Sequence, residues 1–345
     1  MKILDYVKQY DPQNQFQILI NSYKQIEYSW NKVIDLSEIK KGKIENIIIT
    51  GLGGSAISGD LMSNFSQKDL RISSLVNRNY NIPPYADDKT LVISSSYSGN
   101  TEETLSATDE AVKKKCKIIC ITTGGKLAEL ALKNKLPTFI LQKGYQPRFA
   151  LWLNFFALLK ILQILNFIPK EDNIVKDAIS LLKKRGEELS KDENEAFKIA
   201  ESLIGFIPVI YAVDDYTSAV GVRYKCQFNE NSKIHAFYSL LPELNHNEII
   251  GWETYHEKIF NTKVINIFDE AYHQRIKKRI KITSELIEKA GCEIIKIESK
   301  QKYFKLRLID IIYFGDWISY YLAVLRKQDP SAIKNINYLK EKLVE

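Results

Sequence analysis

The sequence predicts an α/β protein that contains two doubly wound parallel sheets with helices on both faces. Short apolar strands alternate with helical segments of about ten to fourteen residues, which is typical of parallel sheets because each crossover needs a connecting helix. This alternation occurs twice, over 46–142 and again over 206–298. Two similar halves therefore account for a chain of 345 residues, which is too long for one typical domain.

The first half is predicted to begin with a helix over 13–36 and to close with a long apolar helix over 147–169. Runs of isoleucine and valine between them indicate buried strands. We expect strands at 46–51, 73–76, 91–96, 117–123 and 138–142, and helices at 55–65, 101–114 and 126–135.

The second half follows a charged, helical connection over 170–200. We expect strands at 206–213, 263–268 and 292–298, and helices through 220–233, 272–290 and 308–327. This organisation predicts two domains, 1–169 with a leading helix and 170–345 with a C-terminal helix.

The bulk composition is typical of a globular protein without a membrane segment. Hydrophobic residues make up 45% of the chain and charged residues 26%, which is enough to bury large cores. The formal charge of +7 lies mainly on amphipathic helices, so it indicates solvated faces that attract an anionic metabolite rather than a nucleic-acid surface. No signal peptide and no membrane span are predicted. The four cysteines form no CxxC pair, so we expect reduced, buried thiols in a cytoplasmic protein.

The loop TGLGGSAISGD at 50–60 is the first candidate for binding a phosphate group. It follows a strand and opens a helix, where backbone N–H groups and the helix dipole favour an anion. Gly54 and Ser55 offer a close backbone approach followed by a hydroxyl. A tight turn with Ser55 as N-cap is the simpler interpretation, but it does not require four glycines in nine residues.

The same loop also satisfies the dinucleotide pattern G-x-G-x-x-G/A through Gly51, Gly53 and Ala56. A dinucleotide site expects an acidic residue at the end of the second strand, where this chain has Asn77 and Arg78. An NADP-dependent oxidoreductase is therefore an alternative that rests on the glycine loop alone.

The stretch SSSYSGNTEET at 94–104 is the second candidate for binding a phosphate group. Capping the next helix needs one hydroxyl, yet five serines and threonines fall between Ser94 and Thr101. We predict that Ser96, Ser98 and Thr101 hold the phosphate, because ligands bind beyond the carboxyl ends of parallel strands. No lysine completes a Walker pattern, so hydrolysis of a nucleoside triphosphate is not indicated.

Two residues of the second half, Glu230 and His246, have the functional groups of a proton-transfer pair. Each is flanked by asparagines, and Glu230 lies near the end of a predicted helix. The alternative interpretation of Glu230 is a solvated helix-end carboxylate. A zinc site formed by His246, Glu248 and His256 is a second alternative, although their spacing matches no zinc motif.

Five motifs follow one another in the order found in a known family. The chain resembles the bifunctional phosphoglucose/phosphomannose isomerase family, a dimeric branch of the sugar isomerase (SIS) superfamily with Rossmann-like, flavodoxin-type domains. The motifs are GLGGSAISGD, SYSGNTEET, PRFAL, NENSK and PELNHNEIIGW. The resemblance implies interconversion of glucose 6-phosphate, and of mannose 6-phosphate, with fructose 6-phosphate through a cis-enediol. It implies neither a metal nor a redox cofactor.

The resemblance also implies a role for individual residues. Glu230 is the proton-shuttling base, and His246, delivered from the partner subunit of a homodimer, is the ring-opening acid/base. Arg148 stabilises the enediolate, and Lys340 reaches the sugar, with Lys334 and Lys342 as neighbouring candidates. The substrate loops contain Gly54, Ser55, Ser96, Ser98 and Thr101. Phe149 and Trp152 are larger than the family's usual residues after the PR pair, which predicts a different pocket wall.

A non-catalytic sugar-phosphate-binding SIS regulator is the alternative from a different functional class. Such regulators carry a basic helix-turn-helix domain, and the 45 N-terminal residues are too short for one. We therefore expect a phosphorylated hexose as the partner of this chain, and neither a nucleic acid nor a membrane.

Overall fold

The computed structural model describes residues 2–344 and divides the chain into two compact units. The central unit consists of Asn21–Leu181. The terminal unit consists of Met1–Ile20 together with Leu182–Glu345. The division into domains 1–169 and 170–345 stays a prediction.

Nine strands form two parallel sheets within residues 2–344, one sheet in each unit. The order in the central unit, β2-β1-β3-β4-β5, is the flavodoxin-type order, and the terminal unit repeats its first four positions as β7-β6-β8-β9. The predicted fold class, two doubly wound parallel sheets, is confirmed. The strands are β1 (Asn46–Thr50), β2 (Ser73–Asn77), β3 (Thr90–Ser96), β4 (Lys117–Thr122), β5 (Thr138–Ile140), β6 (Ile207–Val213), β7 (Phe237–Leu241), β8 (Thr262–Ile267) and β9 (Ile294–Ile297).

Thirteen α-helices lie within the described part of the chain. They are α1 (Ile3–Tyr10), α2 (Gln15–Ile20), α3 (Tyr23–Asn31), α4 (Gly53–Phe65), α5 (Glu102–Lys113), α6 (Gly125–Lys133), α7 (Leu151–Ile164), α8 (Asp172–Leu189), α9 (Glu195–Ser202), α10 (Ser218–Glu230), α11 (Gln274–Lys289), α12 (Phe304–Leu325) and α13 (Lys334–Val344). The single helix predicted over 13–36 is wrong, because the chain turns between α2 and α3, where it leaves the terminal unit. β7 was missed because it is an edge strand whose first residues, Phe237 and Tyr238, face solvent.

The core of the central unit contains α7, which packs against α3 and α4. The rings of Phe155 on α7 and Phe65 on α4 meet edge to face with their centroids 5.3 Å apart. The Ser29 hydroxyl of α3 donates to the Leu153 carbonyl over 2.9 Å. The helix predicted over 147–169 is interrupted, because Pro147 begins a separate 3₁₀ helix, Pro147–Phe149, ahead of α7. Arg148 therefore lies on this short turn.

Helix α12 forms the core of the terminal unit. It is long and apolar enough to cross a membrane by length and composition, yet 94% of its most apolar window is buried in the fold. Its Asp316 accepts from the Arg223 guanidinium over 2.9 Å, and both side chains are at most 5% exposed. Its Gly315 lies directly against the buried Tyr224, since a Cβ atom there would sit 2.0 Å from Cε2 of that ring.

The N-terminal helices α1 and α2 pack against α12. The Tyr320 hydroxyl donates to Oδ2 of Asp11 over 2.9 Å, and the Tyr313 hydroxyl donates to the Leu19 carbonyl over 2.6 Å. The rings of Phe16 and Trp317 meet edge to face at 5.5 Å. Residues 2–20 therefore contribute to a core whose other members lie after residue 181.

Candidate active site

Two loops of the central unit leave neighbouring strands at one edge of the sheet. β1 and β3 pair in parallel with Thr50, the last residue of β1, opposite Ser94, two residues before the end of β3. The chain continues from β1 to its neighbour β2 on one side of the sheet and from β3 to its neighbour β4 on the other side. The position between β1 and β3 is therefore the topological switch point of the sheet. Ligands of doubly wound sheets bind at this point. The structure thus brings together the two loops that the sequence predicted to bind phosphate.

The first loop opens α4 two residues earlier than predicted. Leu52 is the N-cap residue and makes no side-chain cap hydrogen bond, so the interpretation of Ser55 as N-cap is wrong. Gly53 has a φ of +52°, which favours glycine, and Ser55 is buried in the first turn. The start of α4 therefore presents backbone N–H groups and the positive end of the helix dipole.

Arg148 lies beside this first loop. A Cβ atom at Gly54 would come within 2.7 Å of the Pro147 carbonyl oxygen and 3.6 Å of the Arg148 Cα atom, so only glycine permits this approach. Arg148 is only 4% exposed, and its guanidinium carbon lies 5.6 Å from the centroid of the Phe149 ring. A buried arginine whose backbone lies beside a helix N-terminus brings positive charge close to a position that favours an anion.

The hydroxyls of the second loop fall into two groups. Ser94 accepts from the Thr108 hydroxyl over 2.8 Å, and Ser95 donates to the Asn154 side chain over 3.2 Å, so both act within the core. Ser96 pairs with the Thr101 hydroxyl at 2.9 Å ahead of α5, and Ser98 is exposed. The second group, Ser96, Ser98 and Thr101, is the one predicted to bind phosphate.

Two features that support the second loop were missed from the sequence. The first is the turn at Gly124–Gly125 after β4, against which Gly99 packs so closely that a Cβ atom would lie 1.8 Å from the Gly124 carbonyl oxygen. The second is Tyr97, whose hydroxyl donates to the Gln142 carbonyl over 2.9 Å and accepts from the Tyr145 N–H over 3.0 Å. Burial raises the pKa of Tyr97, so the phenol stays a donor. The glycine pair after a buried strand was the available signal.

In the terminal unit, Glu230 is the last residue of α10 and is half-buried. It lines a cavity of about 670 Å³. The segment that carries it is fixed to α12, because Asn231 donates to the Ser319 hydroxyl over 3.0 Å and Ser232 donates to the Ser319 carbonyl over 2.7 Å. Lys233 donates to the Glu230 carbonyl over 2.8 Å and thereby caps the end of the helix. The NENSK motif is thus a scaffold for one carboxylate.

His246 and Lys340 occupy other places in the terminal unit. His246 ends a 3₁₀ helix, Glu243–His246, and its side chain is exposed. Lys340 is an exposed residue of α13. The cavity at Glu230 is lined by Lys334, the first residue of α13. The assignment of Lys340 as the sugar-binding lysine stays a prediction.

The residues considered for NADP and for zinc have other contacts. Arg78 forms an ion pair with Asp60 of α4. Burial raises the pKa of Asp60, and the guanidinium of Arg78 opposes this shift. Glu248 accepts hydrogen bonds from Tyr211 and Ser239. Across residues 2–344, no group of three or more His, Cys, Asp or Glu side chains could hold a metal ion.

Comparison with known proteins identifies the family. A protein of Caldicellulosiruptor bescii named bifunctional phosphoglucose/phosphomannose isomerase is 39% identical to this chain over 336 residues, which cover 96% of the chain and 99% of that protein. The chain belongs to the bifunctional phosphoglucose/phosphomannose isomerase family. The resemblance inferred from the five motifs is therefore confirmed.

A second relative and a family model agree with this assignment, and a solved structure shares the fold. A bifunctional phosphoglucose/phosphomannose isomerase of Aquifex aeolicus is 35% identical over 95% of this chain and 98% of its own length. Residues 192–343 match the family described as bacterial phospho-glucose isomerase C-terminal SIS domain. A hypothetical protein of Thermus thermophilus shares the fold with a TM-score of 0.69 at 14% identity, covering 96% of this chain and 90% of that one.

Proposed function

We propose that this chain is an aldose–ketose isomerase that interconverts glucose 6-phosphate, and mannose 6-phosphate, with fructose 6-phosphate. The observation that carries the proposal is Glu230, a half-buried carboxylate fixed at the end of α10 on a cavity of about 670 Å³. The names of the family's members support the same two hexose phosphates.

In the proposed mechanism, Ser96, Ser98 and Thr101 bind the phosphate together with the Gly54–Ser55 turn. The position of both loops at the switch point of the sheet supports this assignment, since backbone N–H groups and hydroxyls there can all donate to phosphate oxygens. The buried Arg148 beside the first loop supports its proposed role at the enediolate.

Replacing Ser96 by alanine is expected to raise the KM for fructose 6-phosphate roughly tenfold, because a hydrogen bond to a charged group contributes about 1.5–3 kcal/mol. Ser94→Ala is the matched control, since its hydroxyl bonds to Thr108 within the core. That variant should lose about 1 kcal/mol of unfolding free energy and keep its KM within about twofold. An equal rise of KM in both variants would contradict the phosphate assignment. Steady-state kinetics and urea unfolding measure the two quantities.

The proton transfer is assigned to Glu230. After His246 has opened the sugar ring, the Glu230 carboxylate removes the proton from C2 of the aldose, and the electron pair of that C–H bond forms the C1–C2 double bond of the cis-enediol. Glu230 then delivers a proton to C1, while the C1 oxygen gains a proton and the C2 hydroxyl loses one to become the carbonyl of the ketose. The sugar is oxidised at C2 and reduced at C1 within one molecule, so the balance needs no external oxidant.

The finer parts of the proposal concern assembly and location. We propose a homodimer in which His246 reaches the site of the partner subunit, and the exposure of His246 supports this arrangement. A cytoplasmic location is supported by the four free cysteines, because reducing compartments keep thiols unpaired.

A coupled assay of the purified, chelator-treated chain tests the proposed function. NADPH formation through glucose-6-phosphate dehydrogenase reports the conversion of fructose 6-phosphate, and adding phosphoglucose isomerase in excess reports the conversion of mannose 6-phosphate. We expect turnover of both substrates at rates that the chelator does not change. Tight binding of hexose phosphate without turnover would instead favour the sugar-phosphate-binding regulator.

A further inference from the structure

The position of His246 depends on contacts made by its neighbours. The residue is exposed at the end of a 3₁₀ helix of four residues, and such helices have poorer hydrogen-bond geometry than α-helices. Because the imidazole is exposed on a short turn, burial does not fix its direction. Any group that holds it in a reactive orientation must therefore act through adjacent residues.

Among the neighbours of His246, Glu248 is the residue whose side chain is hydrogen-bonded to the sheet. Its two carboxylate oxygens accept from two different hydroxyls, that of Tyr211 over 2.7 Å and that of Ser239. Tyr211 on β6 and Ser239 on β7 are direct partners in the parallel ladder, so their side chains project from the same face of the sheet. The carboxylate thus bridges two adjacent strands of a rigid sheet.

The Tyr211 hydroxyl is itself fixed. It accepts from the Trp252 indole N–H over 2.9 Å, and Trp252 lies on the 3₁₀ helix Glu248–Glu257 that begins with Glu248. Tyr211 is only 1% exposed, and burial together with the charge of Glu248 raises its pKa, so it remains a donor. Glu248 and Trp252, which lie on the same 3₁₀ helix, are therefore both hydrogen-bonded to Tyr211 of β6.

The asparagines on either side of His246 complete the support. Asn245 donates to the Thr283 hydroxyl of α11 over 2.8 Å, which anchors the residue before the imidazole. Asn247 accepts from the Glu248 N–H over 2.6 Å and donates to Glu243 over 3.1 Å. His246 is therefore held between an anchor on α11 and an anchor on the sheet.

We propose that Glu248 is a positioning residue for His246, acting through its bonds to Tyr211 and Ser239. The inference rests on the proposed function, because His246 must act on the substrate for its orientation to affect turnover. Glutamine at position 248 can still accept from Tyr211 and can donate to the Ser239 hydroxyl, whereas alanine can do neither. If Glu248 acts by positioning His246, Glu248→Gln should keep the activity of the wild type. If the negative charge of Glu248 is what matters, Glu248→Gln should lose activity.

The test combines a structural measurement with kinetics. The chain contains four histidines, so the ¹³Cε1 resonance of His246 can be assigned by its loss in His246→Gln. We expect Glu248→Ala to shift and sharpen this resonance toward that of a freely rotating imidazole and to lower kcat about 10- to 100-fold, with little change in KM. Glu248→Gln should keep the wild-type resonance and at least half of kcat. Glu253→Ala, an exposed carboxylate of the same 3₁₀ helix, is the control and should change neither.

The outcomes separate this inference from the proposed function. An unchanged His246 resonance in Glu248→Ala overturns the positioning role, whatever the activity. A shifted resonance in a protein whose wild type does not isomerise hexose phosphates supports the positioning role and refutes the isomerase. Loss of kcat in Glu248→Gln with a wild-type resonance also overturns the inference, because the charge would then be what matters. If Glu248→Ala does not fold, Ser239→Ala replaces it as the test. The His246 resonance should then shift in the same direction by a smaller amount, and an unchanged resonance overturns the positioning role.

Discussion

Replacing Glu230 by glutamine is expected to lower kcat for fructose 6-phosphate by roughly 10²- to 10⁴-fold, the usual contribution of a positioned acid–base group. Glutamine has nearly the same shape as glutamate but cannot accept the proton from C2. Because the change is isosteric at the end of α10, the cavity at this position and the loops of the central unit should keep their geometry. Binding of the sugar phosphate, measured by calorimetry, should stay within about threefold of wild type.

The control for this variant is Glu288→Gln, the same replacement at an exposed position in the last turn of α11. It should leave kcat within about twofold, because surface substitutions of this kind are nearly neutral. Exchange of the C2 hydrogen with solvent deuterium offers a second measurement, and it should slow in parallel with turnover. A Glu230→Gln enzyme that keeps a tenth or more of wild-type kcat would remove the proton shuttle from this residue.

The same variant also tests the proposed dimer. If His246 serves the partner's site, a mixed dimer of Glu230→Gln and His246→Gln chains contains one site with both groups intact. Half of the dimers in an equal mixture are mixed, so the mixture should recover roughly a quarter of wild-type turnover. If subunit exchange is verified and the mixture recovers no turnover, both groups serve the site of their own subunit.

Gly315→Ala is expected to lower the free energy of unfolding by about 1–3 kcal/mol, the typical cost of overpacking a core. Helix propensity alone predicts the opposite sign, since alanine in a helix interior is about 1 kcal/mol more favourable than glycine. The added methyl group would lie 2.0 Å from Cε2 and 2.3 Å from Cζ of the Tyr224 ring. That ring is buried, and its hydroxyl donates to the Ile311 carbonyl over 2.7 Å, so it cannot move without breaking this bond. Overpacking therefore outweighs propensity.

Gly251→Ala is the matched control for this prediction, because a Cβ atom at Gly251 would contact nothing within 4 Å. Its unfolding free energy should change by no more than about 0.5–1 kcal/mol. Urea unfolding followed by circular dichroism measures both variants. A stabilised Gly315→Ala protein would mean that α12 and α10 can separate at this point, contrary to the close approach described here.

The parts of the fold that could be predicted from the sequence are those with a strong local signal. The isoleucine runs of β1 and β4 are buried on both faces, so their apolar character alone indicates central parallel strands. β7 lacks this signal, because an edge strand has one neighbour and exposes Phe237 and Tyr238. The break between α2 and α3 also lacks a local signal, because the helical spacing of apolar residues continues through it. The chain turns there where it passes from one compact unit to the other.

For the candidate site, the sequence indicated which residue types are present, but it did not indicate which of the hydroxyls bond within the core. The sequence shows five serine and threonine hydroxyls before α5. Only three-dimensional contacts distinguish Ser94 and Ser95, which bond within the core, from Ser98, which is exposed. The support given by Tyr97 through Gln142 spans 45 residues of sequence, so no local pattern could reveal it. Long-range contacts of this kind follow from the topology and not from local propensity.

The N-terminal helices have a consequence for how the chain matures on the ribosome. Residues 2–20 are synthesised ahead of both sheets, but the aromatic side chains that receive them, Trp317 and Tyr320, are made some 300 residues later. At elongation rates of about 5–20 residues per second, this leaves the leading segment without its binding surface for on the order of 15–60 s. The contiguous Asn21–Leu181 unit can complete its own sheet during that interval. A segment that is translated ahead of both sheets is thus among the last to find its place.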